Sequence, residues 1–222
     1  ETTGHTPLTT LQAVEPLGPQ RLAEALIIAP ATGTTIAMLA AGIRVKINAV
    51  GLRGINDGQL ADFVHAAMTL PVDVRFIEFM PMGSDTLWSP ENFWPASDIR
   101  AAVEQHVRLV PLGDANEGQR GPARMFALEG GKGRMGFITP LTNHFCLSCN
   151  RLRLTSDGHL RTCLFADREY PLRPLLRHPK VTDEHIARVI AQACKSKPVG
   201  ADLLAARQGG AVASSKMVSI GG

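Results

Sequence analysis

Three cysteines within eighteen residues constrain this chain more than any other feature. The run His144-Phe145-Cys146-Leu147-Ser148-Cys149-Asn150-Arg151-Leu152-Arg153 leads on to Cys163, a C-x2-C-x13-C pattern that uses three of the four cysteines. A C-x2-C pair at a turn aims two sulfurs at one centre, and the third sulfur can return on the next strand. Thiolates so placed suit zinc or an iron–sulfur cluster. Zinc normally takes four ligands, and His144 or His159 would complete a Cys3His site. The other arrangement is a [4Fe–4S] cluster on three cysteines, with one iron open to a substrate. Spacing alone leaves zinc, the cluster and no metal all open.

The arginines behind the second cysteine add a second signal. Arg151-Leu152-Arg153-Leu154-Thr155 alternates polar and apolar residues, so as a strand it puts both guanidiniums on one face. Their rigid donor forks suit phosphate and carboxylate oxygens; the plainer alternative is two exposed arginines on a sheet surface. Asp157-Gly158 is a hairpin signal between Arg151–Thr155 and His159–Cys163, and such a hairpin returns Cys163 beside Cys149.

A length of 222 residues fits one domain or a domain with a subdomain. Hydrophobic residues make up 45% and charged residues 19%, which is ordinary for a soluble globular protein. A net charge of +3 favours anionic ligands mildly, and one Tyr with two Trp gives little surface for base stacking, so nucleic acid is not an expected partner. No run of eighteen apolar residues indicates a membrane span, and Glu1 to Thr6 lacks the basic start of a signal peptide. Clustered cysteines indicate a reducing cytoplasm. The first residue is Glu rather than Met, which reads as a fragment or an incomplete gene.

In chain order, residues 1–34 read as a linker with a short helix over Leu17–Ile28, followed by a helix over Thr35–Ala41 that stops at Gly42. Arg44–Val50 is a strand with Val45, Ile47 and Ala49 on one face and Lys46 and Asn48 on the other. In a barrel the polar pair would point into the lumen; in an edge strand it would meet solvent. Asp57 is an expected N-cap for a helix over Gly58–Thr69 that buries Leu60, Phe63, Val64 and Ala67. Val72–Met80 is a second strand, returning parallel to the first. Arg75 and Glu78 are lumen charges or a structural pair. Ser97 is expected to cap a helix over Asp98–His106, followed by a strand at Val107–Pro111 and a surface loop at Asp114–Gly121. Ala123–Leu128 and Arg134–Ile138 form a hairpin, and the Gly-Lys between them lacks the spacing of a phosphate loop. Asp167–Arg177 is a charged loop or short helix. Thr182 caps a helix over Asp183–Ala193, Cys194 reads as a buried inert thiol, and Gly200–Gly222 reads as a flexible tail.

The stretch FCLSCNRLRLTSDGHLRTCL, together with VKINAVGLRGIND, VDVRFIEFMPMG and the terminal IGG, resembles the GTP 3′,8-cyclases, the radical S-adenosylmethionine enzymes known as molybdenum cofactor biosynthesis protein A. The likeness runs from about residue 37 to residue 222. It implies an α/β fold, the carboxy-terminal part of an incomplete (β/α)6 TIM-type barrel over residues 35–100, followed by a small α+β cluster-binding region over 101–222. It implies that Cys146, Cys149 and Cys163 ligate a [4Fe–4S] cluster. It also implies that Lys46, Arg151, Leu152 and Arg153 bind GTP and that Met80 contacts S-adenosylmethionine. In that family a second cluster, on a C-x3-C-x2-C loop, cleaves S-adenosylmethionine to a radical that turns GTP into 3′,8-cyclo-GTP for cyclic pyranopterin monophosphate synthase. No cysteine precedes Cys146 here, so the resemblance implies an amino-terminal radical half from a longer parent or a complementing chain. The alternatives are a GTP- or cluster-binding remnant without catalysis and a structural Cys3His zinc domain.

Overall fold

The computed structural model describes residues 41, 44–84, 86–112, 122–207, 211–215 and 220. The linker and helix expected before residue 35, nearly all of the helix expected over 35–41, and the loop at 114–121 lie outside them. The chain divides into two compact units. One takes residues up to Phe79 with Glu91–Thr142, the other Met80–Pro90 with Asn143–Gly222.

The first unit is a mixed five-stranded sheet covered by helices. Strand β1 (Val45–Gly51) runs through a 3-10 turn and helix α1 (Leu60–Thr69) into β2 (Val72–Glu78), and β1 and β2 pair in parallel as expected. Helix α2 (Ala96–Glu104) and strands β3 (Leu109–Pro111), β4 (Arg124–Leu128) and β5 (Arg134–Ile138) complete it. The order is β1-β2-β5-β4-β3, with β2 parallel to β5 and the last three antiparallel. Residues 101–142, expected to join the cluster-binding region, thus contribute three strands to this sheet.

Helix α1 buries Leu60, Phe63, Val64 and Ala67, the i, i+3, i+4, i+7 stripe read from the sequence. Alternation sends Val72, Val74 and Phe76 of β2 into the same core. There Phe76 meets Phe63 edge-on at 5.3 Å and Trp94 at 6.4 Å. The opposite face of β2 carries Asp73, Arg75 and Ile77, in register with Lys46, Asn48 and Val50 of β1. Arg75 and Glu78 are therefore not a pair: an odd and an even position on one strand face opposite ways. Glu78 is buried and accepts bonds from Ala96 N (3.1 Å), Leu141 N (2.9 Å), Thr142 N (3.0 Å) and the Thr142 hydroxyl.

Two expected caps are replaced. Asp57 turns to its neighbour Gly58 N, and Asn56 secures the loop instead, accepting from Leu52 N and donating to Val50 O, both at 2.8 Å. Ser97 donates to Asp98, and the Glu78 carboxylate, from a different strand, holds the first N–H of α2.

The second unit has a three-stranded antiparallel sheet, β6 (Arg153–Leu154), β7 (His159–Arg161) and β8 (Tyr170–Pro171), with helices α3 (Leu172–Leu176), α4 (Asp183–Lys195) and α5 (Gly200–Ala205). The turn between β6 and β7 is the Asp157-Gly158 predicted, with Gly158 at φ +88°, where a Cβ would be strained. Strand β8 and helix α3 occupy the stretch expected as a loop or short helix. Thr182 opens α4, its N–H donating to His185 Nδ1 at 3.1 Å. Ala193, Val189 and Ile190 pack on Leu160 and Leu172. Cys194 is exposed, not buried: on a 3.6-residue turn it stands about 100° from Ala193, which takes the core position. The stretch expected as a tail contains α5 and a parallel bridge between Met82 and Ala213, with Gly83 N donating to Ala213 O and Val212 N to Pro81 O. Arg161 is fully buried and donates to Glu169 Oε1 (2.8 Å), Ser215 Oγ (2.6 Å) and the Ala166 carbonyl. Among the described residues no helix is long and apolar enough to cross a membrane.

Asp73 is the charged anchor of the sheet's polar face. Arg134 grips it through two bonds of 2.7 and 2.6 Å, and Arg44 adds one of 3.1 Å. Burial works against the charged carboxylate, but the two guanidiniums outweigh it and hold its pKa below the usual value. Asp73→Ala is expected to lose roughly 1–3 kcal/mol in urea unfolding, since a buried partner is removed from half-exposed arginines. A carboxyl with a depressed folded pKa stabilises fully above the unfolded value of about 3.9. The gap between wild type and variant should therefore be complete at neutral pH and close as the pH falls through the folded value.

Candidate functional site

Cys146 opens a 3-10 turn, Cys146–Ser148, and Cys149 leaves it with extended backbone. Cys149 N donates to Cys146 O at 3.3 Å, closing the tight turn that a C-x2-C pair needs. Cys163 lies two residues beyond β7. All three thiols are half-buried and free of disulfides. Gly200, the first residue of α5, floors the space between them. A Cβ built there would stand 3.2 Å from Cys163 Sγ, 3.4 Å from Cys146 Sγ and 2.9 Å from the Phe165 ring. Two sulfurs thus converge on a patch of bare backbone.

Among the described residues no three His, Cys, Asp or Glu side chains close up tightly enough to hold a single ion. One zinc with bonds of about 2.3 Å draws its thiolates to within about 4 Å of one another. An iron–sulfur cluster gives each thiolate its own iron and needs a wider cup. Cys146 and Cys163 share a glycine-floored space, and a third thiol, Cys149, lies within their electrostatic reach, a donor set of the kind either centre uses. Of the histidines offered as zinc ligands, His144 is exposed, and His159 Nδ1 lies 3.1 Å from Asp157 Oδ2, which leaves its Nε2 as the ring's ligating nitrogen.

The thiols differ electrostatically. Burial opposes the Cys149 thiolate, but the N–H of Arg151 and the charges of Lys197 and Arg151 outweigh it, so the Cys149 pKa is lowered. Burial pushes the Cys163 thiol up, and neighbouring Cys146 and Cys149 add to that rise. Lys197, unremarked in the sequence, is the cation at the centre. Its Nζ donates to Cys149 O at 2.7 Å and Arg151 O at 2.9 Å, and lies 3.4 Å from Cys149 Sγ.

Only Arg153 of the two arginines lies in a strand. Arg151 precedes β6, its guanidinium 5.3 Å from the centre of the Phe145 ring. Arg153 is half-buried, and burial followed by repulsion from Arg151 lowers its pKa, offset in part by Cys149 and Cys163. The two cations therefore sit within each other's field and beside the thiols. Leu152 between them is partly exposed. Met80 follows β2 in a half-buried loop, its carbonyl accepting from Met82 N at 2.9 Å. Lys46 belongs to the first unit, on the exposed face of β1 beside Asn48. Next to it in register is the row of Asp73 and Arg75, and the buried Arg75 Nε has no hydrogen-bond partner among the described residues.

Lys197 and Gly200 are the site residues that sequence reading missed. Their only local mark is the run Lys-Pro-Val-Gly directly after α4. Nothing in it points to a sulfur 48 residues away. Gly200→Ala would drive a methyl into Cys163 and Phe165. It is expected to destabilise the chain by about 1–3 kcal/mol in urea unfolding.

The profile of the family described as Molybdenum Cofactor Synthesis C matches residues 72–203. A GTP 3′,8-cyclase of Syntrophomonas wolfei is 47% identical over 154 residues, 69% of this chain and 46% of the relative. One from Rhodobacter capsulatus is 44% identical over 162 residues, 72% of this chain and 48% of the relative. Molybdenum cofactor biosynthesis protein 1 of Drosophila melanogaster is 38% identical over 156 residues, 70% of this chain and 27% of its own. The chain spans about half the length of the bacterial relatives it matches. With its mixed α/β sheet and its cysteine cup, the chain belongs to the Molybdenum Cofactor Synthesis C family.

Proposed function

We propose that this chain is the GTP-holding part of a GTP 3′,8-cyclase acting in molybdenum cofactor biosynthesis. The observation that carries the reading is the cup of Cys146, Cys149 and Cys163 with Arg151 and Arg153 beside it, in a chain whose relatives bear that name. In this reading the three thiolates hold a [4Fe–4S] cluster, which when bound supplies an open, Lewis-acidic iron for the guanine base. Arg151 and Arg153 take the phosphates. Two guanidiniums that repel each other are relieved by an anion, and bidentate donors fix its orientation. Leu152 gives the nucleotide an apolar contact between them. Lys46 is a further GTP-binding residue in this reading, as the resemblance implies. Met80 contacts S-adenosylmethionine.

The sheet of the first unit then forms part of an incomplete (β/α)6 barrel, its Lys46–Asn48 face toward the lumen. With no cysteine before Cys146, the cluster that cleaves S-adenosylmethionine lies outside these residues, in a longer parent or a complementing chain. Alone, these residues bind cluster and GTP without turnover. The product passes to a cyclic pyranopterin monophosphate synthase in the cytoplasm.

The test is anaerobic reconstitution with iron and sulfide, followed by absorption and EPR spectra with and without GTP. A charge-transfer band near about 400 nm, roughly four irons per chain and a GTP-induced change in the reduced EPR signal are expected. Cys146→Ala should lose most of the iron. Arg153→Ala should keep the iron and weaken GTP binding about 10- to 100-fold, the loss of a charge-assisted pair. A colourless protein holding one zinc and indifferent to GTP would sink the reading.

A further inference from the structure

We infer that Lys197 is a positioning residue for Cys149, its ammonium donating to the cluster-ligating sulfur while two backbone carbonyls fix the nitrogen in place. The inference rests on the cluster reading above. A lysine ammonium has three donors and no acceptor. Two of them are directed at Cys149 O and Arg151 O, at 2.7 and 2.9 Å. These carbonyls flank Asn150, so they bracket the nitrogen from one stretch of chain. Cys149 Sγ, at 3.4 Å, is the acceptor within reach of the third N–H.

The base of the side chain is equally well held. Lys197 N donates to Cys194 O at 3.2 Å in the last turn of α4. Ser196, its neighbour, bonds back to Gln192 O and Ala193 O at 3.1 Å and shares a 2.6 Å bond with Tyr170 of β8. Pro198 removes the next donor and fixes the exit toward Gly200. Lys197 thus reaches the cysteine loop from a fixed point, while Gly200, three residues later, floors the same cup.

A lysine that merely fastened a loop would need only the two carbonyls. Contact with the sulfur adds a chemical consequence. A cationic N–H donor on a ligating sulfur favours the more negatively charged, reduced cluster, because hydrogen bonds to the sulfurs and net charge both set the potential. By holding Cys149 O and Arg151 O together, the same cation also sets the distance between a cluster ligand and the first of the two arginines.

The test compares the reconstituted chain with Lys197→Met, Lys197→Gln and Lys197→Arg. Iron and sulfide content is measured alongside the cluster's midpoint potential by EPR-monitored redox titration. Lys197→Met keeps the aliphatic stem and loses every donor; its potential is expected to move to a more negative value. Lys197→Arg should stay near wild type, and Lys197→Gln, with a neutral donor, should fall between. A Met variant with full iron and an unmoved potential would overturn the inference and leave Lys197 as a loop fastener. If the Met variant fails to hold iron, the Gln variant decides: a shifted potential supports the inference and an unmoved one overturns it. Iron lost from both Met and Gln overturns it, because fastening of the two carbonyls alone would then account for Lys197. Failure of the unaltered chain to take a cluster would instead bring down the cluster reading, and this inference with it.

Discussion

A single buried carboxylate organises the first unit. Glu78 ends the interior strand β2 and accepts from two separate segments, the start of α2 and the turn at Leu141-Thr142 that follows β5. Backbone N–H groups satisfy a buried carboxylate as well as a cation does, and they do so with fixed direction. The first N–H groups of a helix also carry partial positive charge. The strand end therefore determines where α2 begins and where the chain leaves the sheet, just before the segment that carries the first cysteine pair.

The same device recurs with other charges. Asp73 joins Arg44 and Arg134 across strands, Arg161 gathers Glu169, Ser215 and Ala166, and Lys197 gathers the two carbonyls around Asn150. In each case one buried or half-buried polar group ties together partners that are distant in sequence. The core of aromatic and aliphatic residues between sheet and helices explains why the first unit is compact. In the second unit an apolar cluster forms around Leu160, Leu172 and Ala193, and Lys197 ties the cysteine loop through polar contacts.

What was legible in the sequence was periodic or local. The stripe Leu60-Phe63-Val64-Ala67 and the strands on either side of it repeat at the helical and extended periods, and the core realises them. The Asp157-Gly158 turn and the C-x2-C pair work within a few residues, so they too could be read. The caps failed because Glu78 reaches α2 across 18 residues, whereas Ser97 is merely adjacent. Cys194 was misplaced because one helical position separates the core face from solvent, and Ala193 fits the tight spot against Leu160 and Leu172. Glycine and alanine in the last stretch suggested looseness, yet α5 forms there with Gly200 against the sulfurs. The Asp73 partners, 29 and 61 residues away, leave no local trace at all.

Arg161 gives the end of the chain a significance its composition hides. Its guanidinium is buried two residues before Cys163, and Ser215 supplies one of its acceptors. A buried guanidinium that loses an acceptor must either admit water or move. A chain cut after Arg207, which by composition sheds only a loose tail, would open that arginine's pocket at the root of the cysteine hairpin. The last residues thus act on the hairpin that leads into Cys163, far from where they stand in the sequence.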